Sequence, residues 1–173
     1  MNFCFQINSV VWLEYIAGYF FAVVIGHFLI DKCVDKLWSL SGWNGHSDEL
    51  TRPKNWQSGA VGVVERALII SSFLAGWPQF VALWFALRIG GSYRDWSEGR
   101  KDEAGVKRIE GPAIFNIFLI GSGLSLSYAF VGVKIIELLK TSNIYAFILP
   151  LILVILTVIF YFWIGFRASR RKK

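Results

Sequence analysis

Four apolar runs of 21 to 23 residues, Val10–Ile30, Ala67–Leu87, Ala113–Val133 and Ile144–Phe166, set the terms for any fold of this chain. A helix rises 1.5 Å per residue, so each run is long enough to cross a hydrocarbon layer of about 30 Å. The runs show neither strict alternation nor strand-length segmentation, which excludes a membrane β-barrel. Charged residues fill 17% of the 173 positions and apolar residues 55%, whereas a water-soluble domain carries roughly 25% charge. The sequence therefore predicts an all-α integral membrane protein, a single membrane domain over residues 1–173 built as a four-transmembrane-helix bundle. The expected spans cover about 10–30, 62–88, 113–137 and 144–166. An outer loop at 31–58, a cytoplasmic loop at 89–112 and a basic tail at 167–173 connect and follow them. Pro112 suits the first position of span three. Pro78 and Pro150 read as kinks inside spans two and four.

Orientation follows from lysine and arginine in the connections. With four crossings, the side holding 89–112 and the tail carries eleven and the other side six. This bias places both termini in the cytoplasm, in a bacterial-type inner membrane. The net charge of +6 does not point to nucleic acid, because the basic residues flank spans, where orientation and anionic lipids account for them. The N-terminal stretch MNFCFQINSVV has no basic region ahead of an apolar run and is not expected to be a cleaved signal peptide.

Helices in lipid gain little from apolar burial against each other, so small residues mark their contact faces. Gly18, Ala22 and Gly26 form such a ladder in span one, Ser71 and Ala75 in span two, and Gly121, Ser125 and Ala129 in span three. The middle of span four, Leu151 to Ile159, is nearly all branched aliphatic and is expected to face lipid. Spans one to three form the expected bundle core, and the chain is expected to assemble as a homo-oligomer.

Ionisable groups at mid-bilayer cost roughly 2.5–3.5 kcal/mol on insertion scales, so each needs a reason. Glu14 begins the same ladder as Gly18. It reads as an interfacial carboxylate level with Asn116, or as a proton- or cation-linked group. Glu65 and Arg66 open span two. Neighbours on a helix point about 100° apart, so each needs a partner elsewhere, and His27 is the candidate. Such a cluster would anchor the span, sense pH or bind an anionic headgroup. Gln79 and Asn116, with the span serines, are candidates for hydrogen bonds between helices. Cys4 and Cys33 have no metal-ligand spacing, and neither a metal nor a cofactor is expected.

No nucleophile elbow, phosphate loop or zinc-protease motif occurs in the sequence. The loop 89–112 balances five basic against five acidic residues. Tyr93, Arg94 and Trp96 within it form a docking strip for a cytoplasmic protein. The tail, with Arg167, Arg170, Arg171, Lys172 and Lys173, is purely basic and suits lipid headgroups. These features favour a non-enzymatic polytopic inner-membrane subunit or sensor that docks a cytoplasmic partner. A small four-span transporter or channel using Glu14 is the first alternative, and a lipid-modifying membrane enzyme the second. In span count and a lone glutamate in the first span, Glu14, the chain resembles the small multidrug-resistance transporters. It departs from them in its length, its long first and second connections and its basic tail.

Overall fold

The first apolar run keeps its helix well past Ile30. The computed structural model describes residues 9–41, 56–98, 100–101, 107–109 and 111–171, and the side chains of 12–40, 59–91 and 111–167. In it α1 (Ser9–Tyr19), a π-helical segment (Phe20–Ile25) and α2 (Gly26–Ser41) join end to end. Tyr19 and Gly26 at the two joints both hold right-handed helical dihedrals, so the rod is continuous. Its extension is amphipathic, which lets the helix outlast the apolar run. Ile30 and Cys33 are buried on one side while Lys32 is exposed on the other.

Residues 62–88 do not form the single kinked span expected of them. α3 (Trp56–Leu74) stops and α4 (Gln79–Glu98) starts afresh. Gly76 takes a φ of +76°. Its N–H bonds to the Phe73 carbonyl at 3.1 Å, and the Trp77 N–H reaches the Ser72 carbonyl at 2.8 Å. This pair of bonds is a Schellman stop, which needs a left-handed residue and so favours glycine. Pro78 immediately precedes the next helix, where a missing N–H costs nothing. The chain reverses instead of bending, and Arg88 on α4 returns to Glu65 on α3.

After α4, β1 (Arg100–Lys101) and β2 (Lys107–Ile109) pair antiparallel. Then come α5 (Gly111–Lys140) and α6 (Tyr145–Arg171). The turn between them is a second Schellman stop. Ser142 holds φ at 51°, and the Ser142 and Asn143 N–H groups bond to Leu139 and Leu138. Asn143 then caps α6 by accepting from the Tyr145 N–H at 3.0 Å.

Among the described residues, three helices are long and apolar enough to cross a membrane: Trp12–Leu40, Gly111–Lys140 and Tyr145–Arg167. A shorter apolar helix covers Gln79–Gly91. The rod α1–α2 runs antiparallel to α5, since Gly18 lies against Gly132 and Ile136, Gly26 against Tyr128, and Val34 against Gly121. α6 turns back along α5, where the Tyr128 hydroxyl donates to Thr157 Oγ1 at 3.0 Å. It therefore runs parallel to α1–α2, with Lys36 beside Gly165.

The start of α1 and the end of α6 thus lie at opposite ends of the bundle, which does not fit an arrangement with both termini on one face. The expected level placement of Glu14 and Asn116 fails for the same reason. The reversal at Gly76–Pro78 inverts α5 relative to the expected arrangement. Tyr15, next to Glu14, meets Lys140 at 3.2 Å, while Asn116 sits near the other end of that helix.

α5 touches every other helix and forms the axis of the core. One side packs Ala129, Val133 and Ile136 with Ala22, Ile69, Ile70 and Val81. The other packs Tyr128, Val131 and Ile135 with Phe21 and Ile30, and with Leu149, Leu153 and Val154 of α6.

Candidate functional site

The charged residues of α3 are the most enclosed polar groups of the bundle. Glu65 is 1% exposed and Arg66 2%. Buried charges survive only when paired or otherwise satisfied. Arg88, delivered by the hairpin from α4, donates from Nη1 to Glu65 Oε2. The Arg88 guanidinium also stacks 5.1 Å above the Phe118 ring of α5. Arg66 lies along its own helix beside Gly62, where Glu65 attracts it and Arg88 repels it. Two guanidinium groups thus face one carboxylate, leaving the cluster one positive charge in excess.

Several buried polar atoms here have no hydrogen-bond partner among the described residues: Glu65 Oε1, Arg66 Nε and Nη2, Trp84 Nε1, Ser122 Oγ and Ser125 Oγ. They lie on α3, α4 and α5. Trp84 stands one turn before Arg88 on α4. Ser122 and Ser125 follow Phe118 along one stripe of α5, at three- and four-residue steps. That stripe continues to Ala129, packed with Ile69 and Ile70 of α3 and Val81 of α4. All six atoms are thus carried by the three helices that meet around Ile69, Val81 and Ala129. An unmade buried hydrogen bond costs roughly 1–3 kcal/mol, so their concentration on these helices calls for a function.

The π-helical segment lies alongside. α3 is tied to the first rod at Tyr19, whose hydroxyl is 2.7 Å from Ser71 Oγ, and at His27, which packs on Gly59. Glu65 and Arg66 fall midway between those ties, level with Phe20–Ile25. Single π turns recur at functional sites because they break the regular carbonyl ladder. His27 is drawn to Gly59 rather than to the charges, nearly two turns of α3 away.

The remaining sequence candidates occupy varied places. Ala22 and Ala129 are fully buried, and Gly18, Gly26 and Gly121 face neighbouring helices. Ala75 is exposed in the hairpin turn, Gln79 is exposed at the start of α4, Asn116 is exposed on α5 and Glu14 is half-buried on α1. Arg167 stacks 5.0 Å over Trp163. The backbones of Tyr93, Arg94 and Trp96 form the last turns of α4, and those of Arg170 and Arg171 end α6. The side chains of these five residues, with Lys172 and Lys173, lie outside the described residues. No group of three or more His, Cys, Asp or Glu comes together among the described residues.

Sequence reasoning missed Arg88 as the partner of Glu65, and Gly132 as the counterpart of Gly18. The available signal was Gly76 followed by Pro78, a helix stop and start in two steps. Reading it that way folds Arg88 back onto Glu65.

Compared with known protein families, characterised proteins and solved structures, the chain matches none. The described cluster holds two guanidinium groups, one carboxylate, an indole N–H and two hydroxyls.

Proposed function

We propose that the chain is a multi-pass protein of a bacterial-type cytoplasmic membrane, acting as a non-enzymatic sensor subunit that couples a buried charge cluster to a cytoplasmic partner. The rod α1–α2, α5 and α6 cross the bilayer. The hairpin α3–α4 enters and leaves on the cytoplasmic side, so the earlier assignment of both termini to the cytoplasm gives way to opposite sides. Charge supports this topology. In this topology the stretches 31–55, 89–110 and 167–173 are assigned to the cytoplasmic side, and they carry fourteen of the eighteen lysines and arginines. Lys134 and Lys140 are the basic residues toward the other end, and Arg66 and Arg88 sit within the hairpin. This bias is far steeper than eleven to six, as the positive-inside rule asks.

The observation that carries the sensor reading is the continuity of α4 from Gln79 to Glu98. One helix holds Arg88 in the buried pair and Tyr93, Arg94 and Trp96 at its cytoplasmic end, about 12 Å further along. A change at the Glu65–Arg88 pair moves the docking strip with it. The tail from Arg167 onward holds anionic headgroups, and the exposed α6 face, with Phe147, Leu151 and Phe162, meets lipid or a second copy. Glu14-based transport gains no support, since Glu14 lies near the start of α1, away from the charged hairpin.

The test places a photo-crosslinking side chain at position 93 in cells. The reading expects a defined cytoplasmic partner whose yield changes several-fold with Glu65→Gln. An identical crosslinking pattern in that variant would count against the coupling.

A further inference from the structure

We propose that the junction of α3, α4 and α5 binds a terminal phosphate group, either the monoester headgroup of a phosphatidic-acid-type lipid or free inorganic phosphate. The inference deepens the sensor reading by naming the ligand class of its buried cluster. Nε and Nη2 of Arg66, the two atoms without partners, form one edge of the guanidinium, and that edge holds an oxyanion through two parallel bonds. Arg66 is 2% exposed, so the donor edge is fixed inside the bundle with no water-facing escape.

Three further buried donors are without partners. The Trp84 indole N–H and the Ser122 and Ser125 hydroxyls come from two further helices. Donors from three helices suit the tetrahedral spread of phosphate oxygens better than the plane of a carboxylate. The excess positive charge of Arg66 and Arg88 over Glu65 is balanced by one bound negative charge. The unpartnered Glu65 Oε1 then has a role: the monoester, mostly dianionic at about pH 7 because its second ionisation lies near pH 6, takes up one proton from solvent on binding, and the resulting P–OH donates to the carboxylate. A phosphodiester headgroup lacks this proton.

Access runs along the flank of α4. The Arg88 side chain is 28% exposed, and Leu83 and Leu87, which precede it, are 58% and 64% exposed. Acyl chains lying on those leucines bring a headgroup to Arg88 from the bilayer.

The experiment uses the full chain in detergent. In one arm, native mass spectrometry follows retention from an equimolar mixture of phosphatidic acid, phosphatidylglycerol and phosphatidylcholine. In the other, thermal unfolding is followed with inorganic phosphate or chloride at matched ionic strength. Two variants are compared with wild type: Arg66→Lys, which keeps the charge and loses the fork, and the conservative pair Ser122→Ala with Ser125→Ala. A lipid source predicts about tenfold preferential retention of phosphatidic acid, lost in both variants. A free-phosphate source predicts a rise in the unfolding temperature with phosphate alone, likewise lost in both. Absence of both effects, or an effect that both variants keep, overturns the proposal. Labelling at position 45 reports the hairpin separately, so a failed ligand test and a failed topology are distinguishable.

Discussion

Arg88 donates a hydrogen bond to Glu65, twenty-three positions earlier in the chain, across a hairpin that the intervening residues close with Gly76 and Pro78. The pair joins the two arms inside an apolar bundle and brings α4 back toward the side from which α3 came. Arg66, beside Glu65, is left with an unpartnered donor edge.

Removing the carboxylate should be costly. Glu65→Ala leaves the buried Arg66 and the half-buried Arg88 without an anion. Breaking a buried pair this way costs about 3–5 kcal/mol. Arg88→Ala should cost less, because Arg66 still neutralises Glu65 and the lost side chain is 28% exposed. Chemical unfolding in detergent gives the two values, and equal losses would contradict the assignment of roles.

The hairpin turn makes a backbone prediction. Gly76 sits at φ +76° with open space around it, so Gly76→Ala meets conformational strain and no clash. A left-handed Ala costs about 1–2 kcal/mol. Gly123, a helical position with nothing near its would-be Cβ, is the control. Gly123→Ala should be neutral or stabilise by about 0.5–1 kcal/mol. Unfolding temperatures in detergent should therefore move in opposite directions or differ clearly.

What the sequence made legible was apolar length. The runs at 113–137 and 144–166 correspond to α5 and α6 with modest extensions, and the branched aliphatic middle of α6 is mostly exposed, as its lack of small residues suggests. The run at 62–88 misled because hydropathy averages over a turn. Ala75, Gly76, Trp77 and Pro78 are apolar enough to hide a stop and a start. Everything downstream of that misreading followed, including the direction of α5 and the supposed level of Glu14 with Asn116. Arg88 was invisible as a partner because its place depends on the reversal. The π-helical segment has no sequence signature in Phe20–Ile25 beyond ordinary apolar residues.

Close packing between the first rod and α5 should show as steric intolerance. A Cβ at Gly18 would stand 2.5 Å from the Gly132 carbonyl oxygen and from Ile136 Cγ1, so backbone must move. Overpacking of this kind costs about 1–3 kcal/mol, and Gly18→Ala should lose that much. Ile152→Leu, on the exposed face of α6 at 48% exposure, should be silent in the same detergent stability assay. Similar losses in both would refute the contact face.

The central claim is that the chain enters and leaves the hairpin on one side. Single cysteines at Gly45, Ser142 and Lys173, labelled by a membrane-impermeant reagent in intact and in opened cells, test it directly. The account predicts that positions 45 and 173 react only after the membrane is opened, while position 142 reacts in intact cells. Labelling of position 45 from outside, with position 173 still protected, would mean that residues 62–88 cross the membrane once and that the hairpin account is wrong.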